Sequence, residues 1–192
     1  MEKIKSILLT LVSLATIVGI AYVGIRTSPD SLEKWLTTHY SGKEKLTKLN
    51  FYVRDIFTSP TPTIVVVASA NTTFTSPTLF GLVSVFDDPV TVGPEPGSKI
   101  IGQAGGIYAL ASLEETSIHM TFTIVFTDGE YNGSTLSFSG HNAYLTPLRH
   151  ISIVGGTGFF AFARGVTSVS TVWRSNTSGD AVFQYDSIVL HH

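Results

Sequence analysis

The feature that most constrains the fold is an alternation of apolar and polar side chains with a period of two residues, which begins at Lys48. It is clearest at 118–126, where apolar residues alternate mainly with Thr and His. Such alternation is typical of β-strands with one buried face, and Asp-Gly and Asn-Gly pairs mark the turn that follows. We count eight or nine strands and no helix long enough to connect parallel strands. The sequence therefore predicts an antiparallel barrel or sandwich.

Composition excludes several functional classes. Ser and Thr make up 45 of the 192 residues, whereas charged residues are only 14% and the formal net charge is −2. Nucleic-acid binding is disfavoured, because phosphate recognition needs a basic patch and the twelve basic residues are dispersed. The absence of cysteine excludes disulfides, thiolate metal sites and cysteine nucleophiles. A hydrophobic fraction of 43% excludes intrinsic disorder.

The N-terminus is typical of a secretory signal. Lys3 and Lys5 precede twenty residues without a charge, Ser6 to Ile25, and small residues predict cleavage after Ala21. The run also approaches the minimum length of a membrane span, so an uncleaved anchor stays open. If the segment is cleaved we expect no membrane partner, whereas an uncleaved segment would anchor the protein in the membrane. In both cases the bulk of the chain is expected outside the cytoplasm.

This gives three predicted regions. Residues 1–25 form a signal peptide or signal anchor, 26–45 an N-terminal segment, and 46–192 the β-domain. Within the second region, a capping-box pattern predicts a short helix or tail near 30–36.

Three of the five asparagines lie in N-x-S/T sequons within predicted loops, and they are Asn71, Asn132 and Asn176. Chance predicts about one such match in a chain this rich in Ser and Thr. We therefore expect N-glycosylation, although Thr-rich turns also generate sequons by chance.

Other motifs do not support a metal or nucleotide site. The glycine-rich segment 155–158 lacks the Gly-Lys-Ser/Thr ending of a phosphate loop and precedes a strand, which favours a tight turn with positive φ. The six histidines lack metal-binding spacing, and His119 and His141 share strand faces with Thr and Ser, so we expect them to face solvent. No G-x-S-x-G sequence offers a serine nucleophile. We predict no metal and no cofactor.

Polar residues that interrupt apolar strand faces are the better candidates for a site. Asp55 shares a face with Leu49, Phe51, Val53 and Phe57. Asn142, Arg149 and Arg164 likewise lie on or just past apolar faces. Because a carboxylate on an apolar face is costly unless it is paired or lines a wet cavity, two interpretations follow. The residues are either a structural Asp–Arg pair or a polar cluster inside an apolar, aromatic-lined pocket.

The segment Phe51–Ile56 resembles the opening strand of plant dirigent proteins, in which an aromatic pair precedes His-Asp. Further blocks match that family in order and spacing, and they are 85–91, 93–96, 106–108, 126–136, 154–158, 163–165, 179–182 and Tyr185. The resemblance extends over about residues 46–192. It implies an eight-stranded antiparallel β-barrel, usually trimeric, secreted to the apoplast of the plant cell wall.

The resemblance also implies a function. Dirigent proteins orient phenoxy radicals, for example of coniferyl alcohol, so that coupling gives one enantiomer of a lignan; a separate laccase or peroxidase supplies the radicals. Our main prediction is this stereoselective coupling of small phenols, with no catalysis of the oxidation. Some relatives are instead lyases that convert an isoflavanol through a quinone methide to a pterocarpan, and this is the alternative. A cell-wall binding or defence protein without activity is a third possibility.

Five residues are candidates for these roles. Asp55 can hydrogen-bond a phenol or shuttle a proton, with a pKa raised by its apolar setting and opposed by a nearby Arg149. Arg149 or Tyr108 can stabilise negative charge on a quinone-methide oxygen. Asn142 completes the predicted catalytic set, and Tyr108 and Phe51 are predicted to bind substrate.

Three departures separate the chain from the lignan-forming members of the family. Those members carry a second Asp where this sequence has Asn142, they have a cysteine pair, and His precedes their Asp where this chain has Arg54. Because an Asn cannot perform acid–base catalysis, the sequence does not predict a mechanism with two carboxylates.

Overall fold

The computed structural model describes residues 33–34 and 42–192. Glu33 and Lys34 are helical and exposed, within the segment where a short helix was expected. The predicted signal or anchor at 1–25 and most of the segment 26–45 lie outside the described residues. In the part of the chain that is described, no helix is long and apolar enough to cross a membrane.

Residues 43–192 form one compact unit of antiparallel strands. The nine strands are β1 (Lys45–Asp55), β2 (Ile64–Ala68), β3 (Val83–Thr91), β4 (Ile100–Leu110), β5 (Ile118–Phe126), β6 (Thr135–Asn142), β7 (Leu148–Thr157), β8 (Arg164–Arg174) and β9 (Ala181–His191). Three short 3-10 helices lie between strands, at Thr73–Thr75, Gly129–Tyr131 and Gly158–Phe160.

Eight of these strands close into a barrel, as the sequence predicts. Neighbours in the sheet follow the order β1-β9-β8-β7-β6-β5-β4-β3-β2, and β1 also pairs with β3 through Tyr52–Thr91 and Val53–Val90. That last pairing closes the ring. The short strand β2 lies outside it, paired with the first half of β3 from Ile64 opposite Phe86. Closure removes the free edges that an open sheet of this length would expose.

The apolar residues at 79–86, followed by Asp-Asp-Pro, predict a strand that ends before Pro89, and strand β3 differs from this prediction. Leu79 and Gly81 have positive φ angles of 55° and 92°, so the chain turns there and the strand begins only at Val83. The strand then continues through Pro89 instead of ending before it. On one side of β3, the partner β2 pairs as far as Phe86 and β1 pairs only from Val90, so the proline lies in the gap between them. A residue without an N–H is tolerated in a strand at such a position.

Aromatic rings fill the middle of the barrel. Phe122 stacks on Phe138 with centroids 4.6 Å apart, and Phe51 stacks on Tyr185 at 5.3 Å. Gly106 faces this layer from β4, where an added Cβ would lie 2.4 Å from the Cβ of Phe122. A glycine at this position therefore gives the aromatic layer its room.

A second ring cluster closes one end of the barrel, where β1 begins and β9 ends. Tyr131 lies 4.9 Å from both Phe159 and Phe160, and the fully buried His191 packs against the same two phenylalanines. The Nε2 atom of His191 is also hydrogen-bonded to the Thr47 hydroxyl at 2.9 Å. The barrel is thus plugged at this end.

The expectation that Arg164 belongs to an inward polar cluster is wrong. Its side chain is exposed and forms an ion pair with Glu44. The alternation of inward and outward side chains does not continue to Arg164, because the chain leaves β7 after Thr157 and makes a 3-10 turn. It then passes through Phe162, at a φ of 58°, before β8 begins. Alternation cannot be counted across a turn.

Candidate functional site

A cavity of about 370 Å³ opens at the other end of the barrel, where β1 ends at Asp55 and β9 begins at Ala181. Its volume is within the ~300–1,000 Å³ range of small-molecule sites. Most of the wall is apolar. The polar and charged side chains that line it are Asp55, Asp88, Tyr108, Asn142, Tyr144, Arg149, Arg174 and Tyr185.

The alternation of side-chain directions along β1 and β3 places two carboxyl groups at this cavity. On β1, Phe51 and Val53 face the core, and Asp55 continues the same face at the end of the strand. On β3, the buried residues alternate as Ser84, Phe86, Asp88 and Val90. Because β1 and β3 pair directly, the two acids lie beside each other at the cavity wall.

The carboxyl groups of Asp55 and Asp88 are hydrogen-bonded to each other. Burial raises the pKa of both well above the usual carboxyl range, and the negative charge of Asp55 raises the pKa of Asp88 further. A hydrogen bond from the Thr63 hydroxyl opposes the rise at Asp88, while the hydrogen bond from Asp88 and the charge of Arg174 oppose it at Asp55. The two carboxyl groups therefore hold a proton between them near neutral pH.

Arg149 brings a positive charge to the cavity wall. Its Nε donates to Asn142 Oδ1 at 3.1 Å, and its Nη1 donates to the Thr146 carbonyl and to Thr171 Oγ1, each at 3.0 Å. The guanidinium also lies 5.4 Å from the centre of the Phe183 ring. Only 5% of Arg149 is exposed. These contacts fix a buried cation in one orientation, where its charge acts in a poorly screened environment.

Asn142, the last residue of β6, is hydrogen-bonded to this arginine. Its Oδ1 accepts from Arg149, and its Nδ2 lies 3.3 Å from the sulfur of Met120. An Asp at this position would add a second charge beside Arg149. The amide instead leaves the arginine's charge unneutralised toward the cavity.

Two of the three tyrosines that line the cavity, Tyr108 and Tyr185, have raised pKa values. Burial raises the pKa of Tyr108, and the negative charges of Asp55 and Asp88 add to the effect. Burial and the Asp55 charge raise the pKa of Tyr185 as well, against the opposing charge of Arg149. Both phenols therefore stay protonated over the physiological range and can act as hydrogen-bond donors.

The cavity mouth is built by two loops joined through Asp180. Its carboxylate accepts hydrogen bonds from the Phe57 backbone N–H and the Thr58 hydroxyl, each at 2.7 Å. Arg174 pairs with Ala181, the residue after Asp180, and its guanidinium lies 5.5 Å from the centre of the Tyr144 ring. The mouth thus combines an aromatic edge with an exposed cation.

The structure brings four of the five predicted site residues together. Asp55, Tyr108, Asn142 and Arg149 all line the cavity, and their roles stay predictions. Phe51 differs from expectation, since it is only 1% exposed and lies under Tyr185 in the aromatic core instead of at the cavity surface. It occupies the layer below Val53 on the same face of β1, too deep to touch a ligand.

Sequence reasoning missed Asp88. The period-two pattern of β3 carries the signal, but Asp88 directly precedes Pro89, where the sequence predicts that the strand has ended. The cavity consequently holds two carboxyl groups where the sequence led us to expect one. The cation that opposes the rise in the pKa of Asp55 is Arg174, not Arg149 as expected.

Several smaller expectations can also be compared with the structure. Gly158 has a φ of 63° in a tight turn, and His119 and His141 are exposed, all as predicted. The sequon asparagines Asn71, Asn132 and Asn176 are exposed on turns. Among the described residues, no group of three or more His, Cys, Asp or Glu side chains could hold a metal ion.

Comparisons with known proteins agree with this architecture. The family model described as "Dirigent-like protein" matches residues 46–190. Pterocarpan synthase 1 of Glycyrrhiza echinata is 46% identical over 151 residues, which cover 78% of this chain and 80% of that protein. Dirigent protein 23 of Arabidopsis thaliana is 41% identical over 151 residues, covering 79% and 81%.

Solved structures give the same result. A pterocarpan synthase dirigent protein superposes with a TM-score of 0.72 at 46% identity, covering 78% of this chain and 92% of that one. A second pterocarpan synthase dirigent protein gives a TM-score of 0.72 at 45% identity, covering 79% and 99%. Family match, sequence identity and barrel geometry all lead to one conclusion: the chain belongs to the dirigent family.

Proposed function

We propose that the protein is a dirigent-fold lyase that closes an ether ring in a phenolic substrate through a quinone methide. The observation that carries this proposal is the proton-sharing pair of Asp55 and Asp88 in an otherwise apolar cavity. Such a pair offers an acid and a base side by side near neutral pH. Relatives that are 46% and 44% identical are named pterocarpan synthases, and an isoflavanol is the corresponding substrate class.

In the first step the carbon–oxygen bond at a benzylic alcohol breaks. Asp88 donates its proton to the departing hydroxyl, which leaves as water, and Asp55 accepts the proton of the phenol conjugated with that carbon. The substrate becomes a neutral quinone methide, and the pair has given one proton and taken one. An apolar wall keeps bulk water from adding to this electrophile.

In the second step another phenol of the same molecule attacks the benzylic carbon and forms the ether bond. Its proton is returned, through the carboxyl pair, to the quinone-methide oxygen, which becomes a phenol again. The net change is the loss of one water molecule. The fixed Arg149 and the protonated Tyr108 and Tyr185 stabilise negative charge as it develops on the reacting oxygens. The cavity wall orients the attack, and this orientation selects one stereoisomer.

The decisive experiment uses an isoflavan-4-ol that bears a phenol conjugated with the benzylic carbon and a second phenol at the 2′ position. The purified protein is incubated with it without any oxidant, and the product is followed by chiral chromatography. We expect ring closure with turnover. Asp55→Asn and Asp88→Asn should each lose about 10²–10⁴-fold in rate, the range for general acid–base catalysis. Asp87→Asn is the matched control, because it makes the same change at an exposed position of the same strand. No ring closure by the unmodified protein would refute the proposal.

Stereoselective coupling of phenoxy radicals is the second candidate function. It is supported by the aromatic wall of the cavity and by the likeness to proteins named dirigent proteins. In this case the carboxyl pair would hydrogen-bond a phenol and no proton transfer would limit the rate. A parallel incubation with coniferyl alcohol and a limiting one-electron oxidant tests it. Enantiomeric excess there, with no turnover of the isoflavanol, would establish coupling in place of ring closure.

We further propose that the protein acts in the apoplast as a secreted, glycosylated homotrimer that meets small phenols and, for coupling, a laccase or peroxidase. The exposed sequons at Asn71, Asn132 and Asn176 support glycosylation. Glycosidase treatment of the protein from plant cell walls should lower its mass. A single monomeric species in analytical ultracentrifugation at micromolar concentration would contradict the trimer.

A further inference from the structure

Thr63 lies behind the carboxyl pair, outside the set of residues that line the cavity. Its backbone is hydrogen-bonded to Ile56, which follows Asp55, and to Asp87, which precedes Asp88. The backbone N–H of Thr63 donates to the Ile56 carbonyl at 2.9 Å, and the Thr63 carbonyl accepts from the Asp87 N–H at 2.9 Å. One residue thus joins the end of β1, just after Asp55, to β3, just before Asp88.

The hydroxyl of Thr63 has a defined direction. It accepts from the Ile56 N–H at 3.0 Å and lies 2.5 Å from Asp88 Oδ1. A hydroxyl has one proton to donate. The contact with the Ile56 carbonyl is longer, at 3.5 Å, so that proton is directed to Asp88.

This direction restricts where Asp88 can carry its own proton. Because Oδ1 accepts from Thr63, the other oxygen of Asp88 is the one left to carry a proton toward Asp55. A neutral carboxyl with a free choice of oxygens would spend part of its time with the proton turned away from its partner. The threonine removes that alternative.

We propose that Thr63 is a positioning residue that holds the acid proton of Asp88 on the oxygen shared with Asp55. The role in catalysis rests on the proposed lyase function, whereas the effect on the carboxyl pair does not. Thr63 touches no substrate and acts through Asp88. Its hydrogen bond also favours the ionised form of Asp88 and so limits the rise of the pKa that burial causes.

Other charged and titratable groups face the pair and are left unchanged in the Thr63 test. They are Asp87 from β3, Tyr108 from β4, Arg174 from β8 and Tyr185 from β9. No side chain of these groups is hydrogen-bonded to Thr63 in the described part of the chain, and Asp87 contacts it only through the backbone N–H. A substitution of the Thr63 side chain therefore changes the pair without replacing these groups.

The test compares Thr63→Val with Thr63→Ser, which restores the hydroxyl. Thr63→Val keeps the shape and the two backbone–backbone hydrogen bonds, and it removes the hydroxyl from both Asp88 and the Ile56 N–H. Infrared spectroscopy of the purified protein follows the C=O stretch of protonated carboxyl groups during a pH titration, and Asp88→Asn identifies the band of the pair. We expect Thr63→Val to raise the midpoint by about one pH unit, the effect of removing one hydrogen bond to a charged group. Thr63→Ser should titrate like the original protein.

Thr78→Val is the matched control. Thr78 is 4% exposed and donates to the Ser112 carbonyl at 2.7 Å, so its substitution also removes a hydroxyl hydrogen bond, but away from the acids. An unchanged midpoint in Thr63→Val, or an equal shift in Thr78→Val, would overturn the proposal. So would a protein without a protonated carboxyl band above pH 5.

Ring-closure kinetics on the same variants separate this proposal from the lyase function. If both hold, Thr63→Val lowers kcat, moves the pH profile upward and leaves KM nearly unchanged, and Thr63→Ser recovers the rate. If the unmodified protein turns over no isoflavanol but the infrared midpoint still moves in Thr63→Val alone, the lyase function fails while the control of the carboxyl pair by Thr63 stands.

Discussion

Replacing Asp88 by Asn should stabilise the protein while it abolishes acid catalysis. Asp88 is 2% exposed, and burial together with the Asp55 charge raises its pKa to about 9 from the ordinary 3.8. The unfolded chain is ionised at neutral pH, so folding must take up a proton there. The contribution of Asp88 to stability is therefore fully present below pH 4 and is lost progressively as the pH rises toward 9.

The size of this effect follows from linkage. For each proton that folding takes up, the free energy of unfolding falls by about 1.4 kcal/mol for each pH unit above the pKa of the unfolded chain. From pH 4 to pH 7 the cost is on the order of 4 kcal/mol as an upper limit, because Asp55 shares the same proton. The amide in Asp88→Asn can accept from Thr63 and donate to Asp55, so it keeps both hydrogen bonds without needing a proton.

Urea unfolding at pH 5, 6, 7 and 8 measures this directly. We expect the free energy of unfolding of the original protein to fall with pH, and that of Asp88→Asn to fall less steeply. At pH 7 the variant should be more stable by about 2–4 kcal/mol. Asp87→Asn, at an exposed position of the same strand, should follow the original protein within about 0.5 kcal/mol. Equal slopes for Asp88→Asn and the original protein would refute the idea that this acid is protonated in the folded state.

Three further substitutions probe the barrel and the cavity. Gly106→Ala places a Cβ 2.4 Å from that of Phe122 and should cost about 1–3 kcal/mol by urea unfolding, whereas Gly105→Ala, whose nearest contact is 3.8 Å, should cost under about 1 kcal/mol. Phe138→Ala removes a fully buried ring and should lower the free energy of unfolding by about 3–5 kcal/mol, which thermal melting detects as a lower Tm. Arg149→Met keeps most of the volume but removes the charge, so ring closure should slow at least tenfold with unchanged circular dichroism; an unaltered rate would exclude Arg149 from charge stabilisation.

Alternation was sufficient to predict the strands and their buried faces. The face carrying Leu49, Phe51, Val53 and Asp55 points inward as expected, because side-chain direction in a strand is a local property of the backbone. The same rule failed at Arg164, where a turn lies between the residues that were counted together. It also failed at Leu79, which lies in the turn before β3.

The site was predictable only in part. Asp55, Asn142 and Arg149 stood out because polar groups on or near an apolar face need a partner or a cavity, whereas Tyr108 followed from the family resemblance. Phe51 carries no such signal, since a core aromatic residue and a ligand-binding one look alike in a sequence. Its depth depends on where the aromatic layer ends and the cavity begins, and the packing of Tyr185 against it decides that.

The sequence by itself determined an antiparallel β-domain, its strand faces and some of the polar groups that face inward, because these follow from neighbours in the chain. Only the tertiary structure decided that β1 pairs with β3 and β9 to close the barrel. That closure leaves the gap in which Pro89 is tolerated and puts Asp88 beside Asp55. The pKa of each acid is then determined by burial and by the charge of the other, which are properties of the folded barrel and of no single segment.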